Sequence, residues 1–216
     1  MNRVCILVEG QTEETFVSDV LGPFLNQSNI YPYAVLFRKQ GGSFGYQSCR
    51  KIILNALKQD RLAYVTTLVD FYGLPKDWPG REQANSHKHY LDKADMVEKA
   101  LSGDICEQLG SSFNLNRFIP YVQMHEFEAL LFSNTSAWAE DKISLQLEVI
   151  KQSFSCPEDI NDRYETCPSR RILNVLTNYN KIIDGIIAAK KIGLAAMRTA
   201  CPHFNEWITK LENPGK

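Results

Sequence analysis

Two nearly uninterrupted apolar runs, residues 4–8 (Val-Cys-Ile-Leu-Val) and 62–69 (Leu-Ala-Tyr-Val-Thr-Thr-Leu-Val), each stop on a carboxylate, Glu9 and Asp70. A strand that is apolar along its length, rather than at alternate positions, is buried on both faces, as in parallel sheets covered by helices. After the first run, Phe16, Val17, Val20, Leu21 and Phe24 recur at helical spacing behind Thr12. The Thr12 hydroxyl is the expected N-cap, with Glu13 and Glu14 favoured by the dipole of the first turn. Residues 33–37 read as a second strand, and the turn Gly41-Gly42-Ser43-Phe44-Gly45 leads into a helix carrying Ile52, Ile53, Ala56 and Leu57. A polar loop precedes a helix over about 91–101, and residues 118–122 read as a fourth strand. This alternation predicts an α/β fold with a mostly parallel central sheet of at least four strands and helices on both faces, residues 4–8 and 62–69 adjacent in its middle.

Beyond Glu128 the pattern turns helical, over 137–153, 169–177, 179–187 and 202–211, with a long loop at 155–168. The expected division is an α/β core over 1–135 and a helical C-terminal extension over 136–216, packed on the same core. The chain has 216 residues and a formal net charge of −1, which excludes a histone-like binder and leaves any polyanion contact to a local patch. No run approaches the roughly 18 apolar residues needed to span a membrane. The six cysteines form no CxxC pair, so the expectation is a cytoplasmic protein with reduced thiols.

Chemistry is expected where the strands end. Glu9 and Asp70 close the first and third strands, and Glu126 and Glu128 follow the fourth in Met124-His125-Glu126-Phe127-Glu128. In an open parallel sheet those ends share one rim, where ligands bind. Carboxylates gathered there repel one another unless a cation neutralises them, and hard oxygen donors suit Mg²⁺ or Mn²⁺. His125 is a candidate general base, ligand or brace for Glu126. Arg170, Arg171, Lys190 and Lys191 are candidate phosphate contacts. In Ser169-Arg170-Arg171, Ser169 reads as a helix cap, and two arginines in a first turn call for a nearby acid or anion. His87 and His89 read as solvated loop residues, Ser48-Cys49-Arg50-Lys51 as a chance SxxK, and there is no Walker A, GxSxG or GxGxxG motif.

The segment Leu7-Val8-Glu9-Gly10-Gln11-Thr12-Glu13-Glu14-Thr15-Phe16 resembles the VEGxTExxF opening of TOPRIM-like proteins, among them the overcoming-lysogenization-defect (OLD) nucleases and a bacterial TOPRIM-like family of uncharacterised function. Val69-Asp70-Phe71-Tyr72-Gly73-Leu74-Pro75, His125-Glu126-Phe127-Glu128-Ala129-Leu130-Leu131-Phe132, Cys167-Pro168-Ser169-Arg170-Arg171-Ile172 and Cys201-Pro202-His203-Phe204-Asn205-Glu206-Trp207 resemble further blocks of that uncharacterised family, in order. The resemblance implies a TOPRIM fold in which Glu9 matches the TOPRIM glutamate and Asp70 the first aspartate of its DxD. Position 72 is Tyr instead of the second aspartate, so Glu126, Glu128 or Glu13 would complete the metal site. The function implied is a metal-dependent nuclease acting on DNA in bacterial anti-phage defence, beside a separate ATPase. The alternatives are a catalytically weak regulatory or binding subunit of such a complex, and a phosphohydrolase or nucleotidyl-transferring enzyme using the same rim. Oligomeric state stays open.

Overall fold

The computed structural model describes residues 2–37, 45–110, 113–161 and 163–215. Strand β1 (Asn2–Val8) lies between β2 (Ile30–Leu36) and β3 (Tyr64–Asp70), and every pairing in the sheet is parallel. The order is β2-β1-β3-β4, so the two apolar runs are neighbours at the centre, as expected. The second strand starts earlier than residues 33–37 suggested, because Ile30 to Pro32 pair with Asn2 to Val4 even though Tyr31 and Pro32 are only half-buried.

The fourth strand is broken in two. β4 (Phe118–Ile119) pairs with Val65 and Thr66, and β5 (Val122–Gln123) with Val69 and Asp70. Pro120 has no N–H to give the ladder. Across the gap the Thr67 hydroxyl accepts from Tyr121 N (2.9 Å) and donates to Tyr121 O (2.7 Å), replacing the missing ladder bonds.

Helices cover both faces. α1 (Gln11–Phe16), a π-helical turn (Val17–Leu21) and α2 (Gly22–Asn26) join β1 to β2. α3 (Tyr46–Gln59) precedes β3, while α4 (Arg81–Ala84) and α5 (Tyr90–Leu109) follow it. The glycine-rich turn expected before α3 lies, over residues 41–44, outside the described residues. α5 runs eight residues beyond the expected end at 101, because Leu101 and Ile105 continue its buried stripe and Gly110 stops it.

After a 3₁₀ segment (Phe127–Ser133) come α6 (Asp141–Lys151), α7 (Pro168–Val175), α8 (Asp184–Ile192), α9 (Leu194–Ala200) and α10 (Pro202–Glu212). α6 is shorter than 137–153. α8 begins five residues later than 179, where the Asp184 carboxylate accepts from Asn180 N (2.7 Å). α9 was not expected: Gly193, at φ +77°, separates it from α8 within one apolar stretch.

One core layer holds Val4, Ile6 and Val8 of β1 against Phe16, Leu21, Leu130, Ile186, Met197, Phe204 and Trp207. The other holds Cys5, Leu7, Val65 and Val69 against Ile53, Leu57, Val97, Leu101 and Ile105. The alternate residues of β1 thus serve opposite layers. All six cysteines are free thiols, with Cys5, Cys49, Cys167 and Cys201 buried.

Gly80, at φ +75°, caps α4 against α5, and a Cβ there would lie 2.6 Å from Met96 O and 2.9 Å from Ala100 Cβ. Both the backbone conformation and the close approach require glycine. Gly80→Ala should therefore lose at least about 2 kcal/mol in urea unfolding; an unchanged midpoint would refute this account of the α4–α5 contact.

Candidate functional site

The parallel register brings the acids to one rim. Val8 pairs with Leu68, so Glu9 and Asp70 lie just beyond the last shared β1–β3 pairing. The chain from β5 is tied to the same edge by Phe71 N donating to Gln123 O and Tyr72 N donating to His125 O, both 3.0 Å. Glu126, Phe127 and Glu128 follow directly. Asp70 Oδ1 accepts from Phe127 N at 2.8 Å, which fixes the 3₁₀ turn carrying Glu128.

The first helix contributes a further acid. Gly10, not Thr12, is the N-cap of α1, and the Glu13 side chain reaches back to accept from Gly10 N at 3.0 Å. That is half of a capping box. The N-cap moves because Thr12 is buried within the first turn, where its hydroxyl makes no cap bond. The other Glu13 oxygen faces Lys181.

Lys181 is the group at the centre. Its Nζ lies 3.2 Å from Asp70 Oδ2, 3.3 Å from Glu128 Oε2 and 3.9 Å from Glu13 Oε1. Burial works against its charge, yet Asp70, Glu128 and Glu13 together hold its pKa well above the ordinary lysine value. Burial pushes the Glu128 carboxyl up to about 7 despite the attraction of Lys181. Burial and then Asp70 push Glu13 up to about 7 as well. Both acids therefore remain short of counter-charge with the lysine in place. Among the described residues, no three His, Cys, Asp or Glu side chains converge closely enough by themselves to hold a metal ion.

The remaining candidates fall around this cluster. The Glu9 carboxylate packs against Gly73, where a Cβ would lie 3.0 Å from Glu9 Oε2 and press on that carboxylate. His125 is 2% exposed and meets the Phe71 ring edge-on at 5.5 Å, in the wall of the site. Glu126 accepts from Ser169 N at 2.9 Å, at the start of α7. That supplies the acid that two arginines in a first turn call for. The cap itself differs from expectation: Cys167 occupies the N-cap position and Pro168 the first turn, so Ser169 offers its N–H to Glu126 instead of capping with its hydroxyl.

Of the candidate phosphate contacts, Arg170 lies 4.4 Å over the Tyr164 ring and donates to its hydroxyl, and no carboxylate pairs with it among the described residues. Arg171 donates to Thr166 O (2.7 Å) and lies over Phe154. Lys190 is ion-paired with Asp19 at 2.6 Å, and Lys191 is exposed near Trp138. A cavity of about 410 Å³ lies elsewhere, against β4 and α5, and includes none of the clustered acids.

A second buried acid repeats the capping device. Glu158 accepts from His203 N and Phe204 N, both at 2.9 Å, at the start of α10. The two α-helices that start at Cys-Pro, at Cys167-Pro168 and Cys201-Pro202, are thus each met by a glutamate from another part of the chain.

A family model described as "Domain of unknown function (DUF4276)" matches residues 8–212. The chain belongs to the DUF4276 family. No protein of curated function and no solved structure matches it. The DUF4276 match runs from the last residue of β1 to the last residue of α10, so it takes in the acidic rim, Lys181 and both capped helices.

Proposed function

We propose that this rim binds a divalent cation, Mg²⁺ or Mn²⁺, and hydrolyses phosphodiesters, making the DUF4276 chain a metal-dependent nuclease of TOPRIM type. The observation that carries the reading is that Glu13, Asp70 and Glu128, from three separate segments, each lie within 4 Å of one ammonium at the carboxyl edge of a parallel sheet, where an ion could draw them together. The donor set fits a hard divalent ion: all its ligands are carboxylate oxygens, and the wholly buried Glu128 keeps an Oε1 with no hydrogen-bond donor among the described residues. Glu13, Asp70 and Glu128 would hold the ion, with Glu9 at its border.

A bound ion supplies Lewis-acid stabilisation of phosphate charge and lowers the pKa of a bound water. The chain's own residues do the rest. Phe127 N holds Asp70 in place, Gly10 N holds Glu13, and Arg170, at the turn clamped by Glu126, offers a guanidinium to a substrate phosphate. The VEGxTExxF opening supports the TOPRIM relationship, and with it a DNA substrate, a separate ATPase and a role in anti-phage defence. Two facts favour a second reading, a weakly catalytic binding subunit: an ammonium already sits among the acids, and Tyr72 stands where TOPRIM has its second aspartate.

The test is cleavage of DNA and RNA panels by the purified chain with Mn²⁺ or Mg²⁺, with and without a neighbouring ATPase. Cleavage in Mn²⁺ is expected, as is its loss in Glu9→Gln and Asp70→Asn, which keep side-chain shape. Full activity in both variants would sink the nuclease reading, and nucleic-acid binding without cleavage would favour the subunit.

A further inference from the structure

The acidic cluster holds a cation of the chain's own, and its placement bears on how a metal would enter. Lys181 lies on the irregular stretch 176–183 between α7 and α8. Its ammonium can donate three hydrogen bonds and meets three carboxylates, Asp70 at 3.2 Å, Glu128 at 3.3 Å and Glu13 at 3.9 Å. A divalent ion shared by the same three carboxylates would take the place of that ammonium and draw their oxygens in to about 2.1 Å.

Two further observations bear on it. Glu128 is wholly buried, yet its Oε1 receives no hydrogen bond among the described residues, so the lysine serves only part of the donor set. The stretch carrying Lys181 is anchored at its base, where Tyr179 N donates to Leu176 O (3.1 Å) and Asp184 N to Asn180 O (2.8 Å), while Ile182 and Ile183 at its tip are 45% and 59% exposed. The Lys181 side chain is itself 38% exposed, so its ammonium, held by the acids of the cluster, has an open path to solvent. An ion bound to carboxylate oxygens at about 2.1 Å would occupy the space of the ammonium and repel it.

We infer that Lys181 is a built-in counter-ion that competes with a divalent metal for Glu13, Asp70 and Glu128, and so sets the metal affinity of the site. The inference rests on the metal-site reading above. The lysine neutralises part of the cluster in the metal-free protein, and its ammonium swings out to solvent when the ion binds.

The experiment is Mn²⁺ titration by calorimetry of the parent chain, Lys181→Met and Lys181→Arg. Removing a charge only 3–4 Å from the ligands should tighten Mn²⁺ binding about tenfold or more in Lys181→Met. Lys181→Arg keeps the charge and should stay within about threefold of the parent. If Lys181→Met does not fold, the parent protein answers the question alone. Saturating Mn²⁺ should speed labelling of Lys181 by an amine-reactive reagent, read by peptide mass spectrometry. Equal or weaker Mn²⁺ binding by Lys181→Met, or unchanged labelling of a parent chain that binds Mn²⁺, overturns this inference and leaves the metal site standing. Absence of Mn²⁺ binding in the parent and in Lys181→Met overturns both.

Discussion

At pH 8, Glu128→Gln is expected to be more stable than the parent chain by about 3 kcal/mol, and at pH 4 the two should nearly coincide. Glu128 is wholly buried, and burial pushes its folded-state pKa up to about 7 from an ordinary 4.5 with the pull of Lys181 included. Between those values the folded protein holds more protons than the unfolded chain, so stability falls as pH rises. Above 7 the whole cost of ionising the buried acid is present; below 4.5 it is absent. Glutamine keeps the shape and never ionises, so it removes the cost only where there is one. Glu13, also raised to about 7, adds a slope of the same sign to the parent curve. Denaturant unfolding at pH 4, 6 and 8 checks this, and a parent chain as stable as the variant at pH 8 would refute it. The same variant should lose any Mn²⁺-dependent rise in unfolding temperature, because the group whose charge destabilises the empty fold is the group proposed to hold the ion.

The largest loss of stability is expected at Glu158→Ala, about 3 kcal/mol or more at pH 6. Glu158 is wholly buried, and both its oxygens accept backbone N–H groups of the first turn of α10. Removing the carboxylate leaves two buried helix donors without acceptors and takes away the acid 3.9 Å from His203 Nδ1. Glu158→Gln, which keeps one acceptor, should cost less than half as much. Urea unfolding with an unchanged slope would carry the comparison, and a loss below about 1 kcal/mol in Glu158→Ala would show that α10 starts without its cap.

Those two glutamates mark where the sequence was legible and where it was not. Glu128 stood out because it follows a strand closely, and the rule that parallel strands share one rim turns that local pattern into a place. Glu158 lay in a stretch of Pro, Asp, Asn and Cys that reads only as loop, and its role depends on a helix 45 residues away. Lys181 was hidden differently: it fell inside the helix expected over 179–187, where a lysine reads as a solvated face, and the acid it contacts most closely is 111 residues earlier. The strands at 4–8 and 62–69 were visible because full burial writes an unbroken apolar run. The break at Pro120 was not, since the Thr67 hydroxyl that bridges it belongs to a neighbouring strand. Thr12 misled because a cap is defined by backbone geometry, and Gly10 already supplies the turn.

The bond from Trp207 Nε1 to Thr66 Oγ1, 2.9 Å long and spanning 141 residues, ties α10 to the middle of a central strand. Trp207 also stacks on Tyr121 at 4.3 Å and shares a core layer with Val4, Ile6 and Val8. During synthesis, β1 therefore leaves the ribosome long before the aromatic side chains that cover one of its faces exist. At roughly 5–20 residues per second, that face stays open to solvent or chaperones for on the order of ten seconds or more. The opposite layer, built from α3 and α5, is translated far sooner, so the order of translation favours a half-covered sheet that waits for its second layer.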